Sequence, residues 1–241
     1  MSEILRTSSS GLVLAASSEF AKVLKLQSTC NATEKYAEIE VGKITVLNRC
    51  PAVLWDLPIK VENWTIADEQ PGIVFFSSGS SGMPKGVIHS RAIFHGIQAV
   101  KDEAILIYRP ASWISGSKPV IQCILSGARA EIISPEADPK LIWERLRATQ
   151  LTVVASSIML WQRLARYYQE VLAHLPDRDR EEYVQSARAI RIPIIGGGVP
   201  PSSLLKFWKE ELQVPLVTQY GCTEVGVSLT STHAGDAYVE V

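Results

Sequence analysis

Short apolar runs alternate with amphipathic segments through most of the chain, and this alternation is the feature that most constrains its fold. The runs predicted as strands are 73–76, 104–108, 130–133, 151–155, 189–195 and 214–219. The segments predicted as helices are about 90–100, 119–125, 139–149, 158–172, 181–187 and a helix that begins at 202. The starts of two of these helices carry typical capping residues. Asp138 is a candidate cap before Pro139 at the first helical position, and Ser157 is a candidate cap of the helix at 158–172. Alternating strands and helices predict an α/β fold, with a largely parallel sheet and helices on both faces.

The composition excludes several classes of protein. The 241 residues are 46% hydrophobic and 20% charged, with a net charge of −1, as in an ordinary globular protein. This charge gives no general attraction to nucleic acid or to anionic membranes. The four scattered cysteines show no metal-type pairing, and no apolar segment approaches the ~18 residues of a membrane span. We therefore expect a cytoplasmic protein without a membrane span.

A loop rich in serine and glycine follows the first of these strands and ends in Lys85. Its hydroxyl groups and uncrowded backbone N–H groups suit an anion such as a triphosphate. It is not a Walker A loop, because Pro84 precedes Lys85 and Gly86 follows it. A flexible connection is the alternative interpretation. The candidate phosphate-binding residues are Ser77, Ser78, Gly79, Ser80, Ser81, Gly82 and Lys85.

Two further loops follow predicted strands. One is Gly196-Gly197-Gly198, where a flat ring could lie against backbone, and the other is Tyr220-Gly221-Cys222-Thr223-Glu224. Ligands of open α/β sheets bind at the carboxyl ends of the strands, so all three loops can converge on one site. Tyr220 can stack on a purine, Thr223 can donate to a phosphate and Glu224 can bind Mg²⁺. The alternatives are a tight turn at the glycines, a core position for Tyr220 and a helix cap at Glu224.

These motifs resemble those of the adenylate-forming superfamily, which includes acyl- and aryl-CoA ligases, luciferases and adenylation domains of peptide synthetases. The family's phosphate loop is matched throughout, except that Ser81 replaces the usual threonine. Its Tyr-Gly-x-Thr-Glu motif is matched without exception. Its Gly-Gly-Ala-Pro motif is matched less well, since Gly198 and Val199 replace alanine and proline, which leaves the shape of the acid pocket open.

The resemblance implies ATP and Mg²⁺ as cofactors, with CoA as a candidate acceptor, and it implies a role for each motif residue. Lys85, Thr223 and Glu224 would be catalytic, and Glu224 would hold the metal. The glycines 196–198, Tyr220, Gly221 and Thr223 would bind the nucleotide together with the phosphate loop. Trp113 and Gly198 would line the substrate pocket, although a core position for Trp113 is an equal alternative. No aspartate lies between Glu103 and Glu131, so we expect an organic acid without an α-amine.

The resemblance also bears on domain organisation. We predict one AMP-binding-type domain over residues 1–241, in which 1–70 matches weakly and 71–230 forms the nucleotide-binding core. Family members continue into a Thr-Gly-Asp motif and a C-terminal lid domain with a catalytic lysine, and neither is found here. The resemblance therefore predicts a truncated acid-CoA ligase with weak or partial activity, its lid supplied by a protein partner. The alternative hypothesis is a non-catalytic module that binds nucleotide, acyl ligand or another protein.

Overall fold

The structure of the chain is a computed structural model that describes residues 12–16, 40–44, 67–78, 82, 84–94, 102–226 and 230–231. The chain divides into two compact units. One comprises residues 1–70 and 76–88, and the other comprises residues 71–75 and 89–241. The assignment of the whole chain to a single domain remains a prediction.

The described strands form three sheets. In chain order they are β1 (Leu12–Ala16), β2 (Glu40–Ile44), β3 (Pro71–Ser77), β4 (Lys85–Ser90), β5 (Ala104–Ile107), β6 (Arg129–Ile132), β7 (Val153–Ser157), β8 (Ile192–Gly196), β9 (Val217–Tyr220) and β10 (Thr230–Ser231). β1 pairs with β2 in parallel, and β3 pairs with β4. The largest sheet has the order β10-β9-β8-β7-β5-β6. Its strands from β5 to β9 are parallel and β10 is antiparallel, which confirms the largely parallel sheet predicted from the sequence.

Helices connect the parallel strands. The described α-helices are α1 (Ile114–Ser126), α2 (Pro139–Thr149), α3 (Ile158–Glu170), α4 (Asp177–Arg188) and α5 (Ser202–Lys206). A π-helical turn, Phe207–Glu211, continues α5, and short 3₁₀ turns lie at Arg91–Phe94, Leu172–His174 and Thr223–Val225. The two predicted caps are confirmed. The Asp138 side chain accepts a hydrogen bond from the Lys140 amide at 2.8 Å, and that of Ser157 accepts one from the Leu160 amide at 3.5 Å.

Both faces of the sheet are covered by helices, as predicted. Alternate residues of β5 point to opposite faces, so Leu106 enters one apolar cluster and Ile105 enters another. The larger cluster holds side chains of α2, α3, α4, α5 and the π-helical turn, including the fully buried Trp143, Trp161 and Trp208. The smaller cluster packs against α1. The core therefore lies between the parallel sheet and its helices.

The predicted start of the helix at 119–125 is wrong. The sequence placed it at Pro119, whereas α1 begins at Ile114 and contains Pro119. The reason is a turn that forms before the proline, in which the Trp113 carbonyl accepts hydrogen bonds from the Gly116 and Ser117 amides, both at 2.9 Å. The predicted helix at 90–100 is a 3₁₀ turn at Arg91–Phe94, and its remainder lies outside the described residues.

Candidate active site

The glycine loop and the Tyr-Gly-Cys-Thr-Glu loop begin side by side. β8 and β9 are neighbouring parallel strands in which Gly196 is opposite Gln219. A Cβ built on Gly196 would lie 2.9 Å from the Gln219 carbonyl oxygen, so the two backbones approach closely at this point. Both loops therefore leave the same carboxyl edge of the sheet, which is the edge where ligands of such sheets bind.

Gly197 gives the glycine loop its turn. Its φ is 84°, in the left-handed region that glycine adopts without steric cost. A Cβ at this position would lie 3.8 Å from Nη2 of Arg109, a residue that follows β5 at the same edge of the sheet. The turn thus presents bare backbone toward the Arg109 guanidinium.

The second loop carries an aromatic and an acidic side chain at the surface. Tyr220 is 60% exposed, so its assignment to the core is wrong. Glu224 is exposed within the 3₁₀ turn Thr223–Val225, whose N-cap residue is Cys222. An aromatic ring and a carboxylate therefore lie exposed just after β9.

His89 anchors this second loop, a role that the sequence did not reveal. Its Nε2 lies 2.7 Å from the Thr223 carbonyl oxygen. A carbonyl oxygen only accepts, so Nε2 carries the hydrogen. The His89 ring also packs edge-on against Phe75, with ring centroids 6.0 Å apart. The one available signal was the position of His89 soon after the phosphate loop.

Lys118 of α1 contacts the backbone that follows the same loop, three residues after Thr223. Its Nζ donates a hydrogen bond of 3.2 Å to the Gly226 carbonyl. Burial lowers the pKa of the Lys118 ammonium. His89 and Lys118 together fix the backbone on either side of Glu224, so the geometry of this loop depends on distant parts of the chain.

Trp113 lies at the surface near the glycine loop. It is 57% exposed, so the core alternative for this residue is wrong. The guanidinium carbon of Arg109 is 5.5 Å from the centroid of the Trp113 ring, within the range of a cation–π contact. Arg109 therefore lies between Trp113 and Gly197, and it is, after His89 and Lys118, a third site residue that sequence reasoning missed.

Gly116 allows α1 to pack closely against the backbone of Arg109. A Cβ built on it would lie 2.1 Å from the Pro110 carbonyl oxygen and 2.5 Å from that of Arg109. The first turn of α1 consequently packs directly on the backbone of residues 109 and 110. Arg109 is held between the end of β5 and this turn.

The phosphate loop belongs to the other compact unit. Ser77 ends β3, Ser78 follows it and is exposed, Gly82 has a φ of 82°, and Lys85 begins β4 with its side chain exposed. Gly79, Ser80 and Ser81 lie outside the described residues. The structure therefore places the two ends of this loop on paired strands.

A sequence model of one protein family matches residues 1–240, and the family is described as AMP-binding enzyme. The chain belongs to this family. Acyl-CoA ligase oryP of Aspergillus oryzae is 32% identical over 179 residues, which are 69% of this chain and 33% of the ligase. The human mitochondrial malonate–CoA ligase ACSF3 is 23% identical over 73% of this chain and 32% of its own length. The chain thus spans about a third of these AMP-binding relatives.

A solved structure supports the fold of this AMP-binding enzyme. The O-succinylbenzoate CoA synthetase MenE of Bacillus subtilis, in complex with ATP and magnesium ion, superposes with a TM-score of 0.66. The two chains are 18% identical, and the match covers 96% of this chain and 43% of that one. At this identity the likeness shows the shared α/β fold.

Two further observations concern metals and membranes. Among the described residues, no cluster of three or more histidine, cysteine, aspartate or glutamate side chains could hold a metal ion. No helix in the described part of the chain is long and apolar enough to cross a bilayer. The cytoplasmic location remains a prediction, and the predicted protein partner finds no support in these relatives.

Proposed function

We propose that this chain activates a carboxylic acid with ATP, as an acyl-CoA ligase does in its first half-reaction. The observation that carries the proposal is the pair of loops that leave β8 and β9 together, one with bare glycine backbone and one with Tyr220, Thr223 and Glu224 exposed or half-buried at its surface. Membership of the AMP-binding family supports the nucleotide, and the ligase relatives support the acid.

The adenine would lie against the backbone of Gly196, Gly197 and Gly198, and Tyr220 would stack on it. Gly197 is the most open of the three, because a Cβ there would have its nearest neighbour at 3.8 Å, whereas at Gly196 and Gly198 it would meet Gln219 at 2.9 Å and Ile158 at 3.1 Å. The exposed tyrosine offers an aromatic face at the end of the neighbouring strand.

The phosphates would be bound by Ser77–Gly82, Lys85 and Thr223. Lys85 contributes a positive charge, while hydroxyl groups and backbone amides donate hydrogen bonds to the phosphate oxygens. Glu224 is the residue that would hold Mg²⁺, together with phosphate oxygens, since Mg²⁺ in such sites takes only one or two carboxylates from the protein. When bound, the ion neutralises phosphate charge.

The reaction is a displacement at the α-phosphorus of ATP. A carboxylate oxygen of the acid forms a bond to that phosphorus, the bond to the bridging oxygen breaks, and pyrophosphate leaves with the electron pair. The products are acyl-adenylate and pyrophosphate. Lys85 and Thr223 would stabilise the charge that develops on the phosphate oxygens, so their effect is on positioning and electrostatics.

The acid would enter beside Trp113 and Gly198. The absence of an aspartate between Glu103 and Glu131 favours an acid without an α-amine. CoA is the acceptor that the ligase relatives suggest, and its thiol would displace AMP from the acyl-adenylate in a second step.

ATP–pyrophosphate exchange with a panel of fatty, aromatic and dicarboxylic acids tests the proposal. We expect acid-dependent exchange that falls about 100-fold or more in Lys85→Ala and in Glu224→Ala, as when a group that stabilises transition-state charge is removed. Lys206→Ala and Glu170→Ala are the matched controls, because both residues are exposed on helices outside the site, and they should retain exchange. Exchange that survives the Lys85 and Glu224 substitutions together would show that these residues are not the site.

Binding of labelled ATP without exchange for any acid would contradict the proposal of catalysis by this chain. It would support the alternative that the chain is a nucleotide-binding module.

A further inference from the structure

Arg109 is distinguished from the other arginines of its unit by where it lies and by what it contacts. It is half-buried at the carboxyl edge of the sheet, beside Gly197 and over the ring of Trp113. Within the part of the chain that the structure describes, no carboxylate and no hydrogen-bond acceptor pairs with its guanidinium. Arg145 and Arg180, by contrast, pair with Glu131 and Asp177, and buried Glu103 pairs with Arg191.

A half-buried arginine without an acidic partner among the described residues is suited to bind an anion. Its guanidinium is always charged and presents a planar fork of N–H donors that matches a carboxylate in two parallel hydrogen bonds. The cation–π contact with Trp113 and the packing of the first turn of α1 on the 109–110 backbone both limit where the guanidinium can lie. A ligand would therefore meet a donor that is already oriented.

The position of Arg109 indicates which part of the ligand it meets. In the sheet, β8 has β9 on one side and β7 followed by β5 on the other. The proposed nucleotide residues Tyr220 and Thr223 follow β9, whereas Arg109 follows β5 on the opposite side of the glycine loop. Arg109 thus lies on the Trp113 side, where the acid is expected, and away from the end of β9.

We propose that Arg109 is a specificity-determining residue that binds the distal carboxylate of a short dicarboxylic acid. One carboxylate of the acid would be activated, and the other would pair with the guanidinium beside Gly197. This inference rests on the proposed function, because it assumes that an acid is bound at this edge of the sheet.

Binding of acyl sulfamoyladenosines, which are unreactive analogues of acyl-adenylates, tests the proposal without requiring turnover. Malonyl, succinyl and glutaryl analogues are each compared by calorimetry with a control in which an isopropyl group replaces the distal carboxylate. The wild type should bind at least one dicarboxylic analogue about 10- to 100-fold more tightly than its control, as expected for hydrogen bonds to a charged group.

Substitutions then assign the preference to Arg109. Arg109→Met should abolish the preference, because it should weaken binding of the dicarboxylic analogue about 10- to 100-fold more than binding of its isopropyl control. Arg109→Lys should restore part of it, because an ammonium supplies the charge without the fork. Arg178→Met is the matched control, since Arg178 is exposed on α4, and it should keep the full preference.

Three results would overturn the proposal, and they have different meanings. If the isopropyl analogues bind and no carboxylate is preferred, this inference fails while the proposed function stands. If Arg109→Met weakens both members of a pair equally, the residue has a structural role. If no analogue binds, the proposed function and this inference fail together.

Discussion

The substitution Gly116→Ala tests whether the first turn of α1 really packs on the backbone beneath Arg109. A Cβ at this position would lie 2.1 Å from the Pro110 carbonyl oxygen, 2.5 Å from that of Arg109 and 2.6 Å from the Pro110 carbonyl carbon. All three are backbone atoms, so no side chain can rotate away to make room. The helix or the 109–110 segment would have to move by about 1 Å to restore ordinary contact distances.

The sign of the change in the free energy of unfolding shows whether close packing or helix propensity dominates at Gly116. In an open helix, replacing glycine with alanine raises the free energy of unfolding by up to about 1 kcal/mol. Overpacking a rigid site lowers it by about 1–3 kcal/mol, and contacts with three backbone atoms place Gly116 toward the upper end. The net expectation is a loss of about 2 kcal/mol.

Urea unfolding followed by tryptophan fluorescence measures this loss. Ser115→Ala in the same turn is the control, because it changes helix propensity without adding a Cβ, and it should leave the free energy of unfolding unchanged or slightly higher. Gly116→Ala with a stability equal to or above that of the wild type would refute the close packing, and with it the argument that this turn holds Arg109.

Three further predictions concern single contacts. Burial, aided by the hydrogen bond to Glu144, raises the pKa of Tyr183 to about 12. The wild type should therefore be more stable than Tyr183→Phe by its full margin below pH 10.0, and this margin should shrink as the pH rises toward about 12. Denaturation at a series of pH values checks this, and a margin that does not change with pH contradicts it. His89→Phe keeps an aromatic ring beside Phe75 but loses the hydrogen bond to Thr223, so the free energy of unfolding should fall by about 1 kcal/mol and ATP should bind more weakly in calorimetry. Trp208→Ala should lower the free energy of unfolding by about 3–5 kcal/mol in urea titrations, because its fully buried ring packs 4.8 Å from that of Trp161; a loss below half of that would show that the cluster collapses around the cavity.

Features encoded within a few residues were predictable from the sequence. The caps Asp138 and Ser157 were identified because a capping side chain bonds to an amide two or three positions ahead. The parallel sheet followed from the alternation of apolar runs with amphipathic segments. The start of α1 was not predictable by the same rule, because a proline typical of a first helical turn, Pro119, lies inside a helix whose first turn is closed by the Trp113 carbonyl.

The site residues that the sequence missed share a different property. His89 contacts a carbonyl 134 positions away, and Lys118 contacts one 108 positions away. A sequence motif is defined by residue types at fixed spacings along the chain. The contacts of His89 and Lys118 depend instead on which distant backbone oxygen the fold brings near them. Arg109 is the same case, since its neighbours Gly197 and Trp113 meet it only because β5 and β8 end at one edge of the sheet. Motifs therefore identify the residues proposed to bind the nucleotide, while His89, Lys118 and Arg109 emerge only from the packing of the sheet and α1.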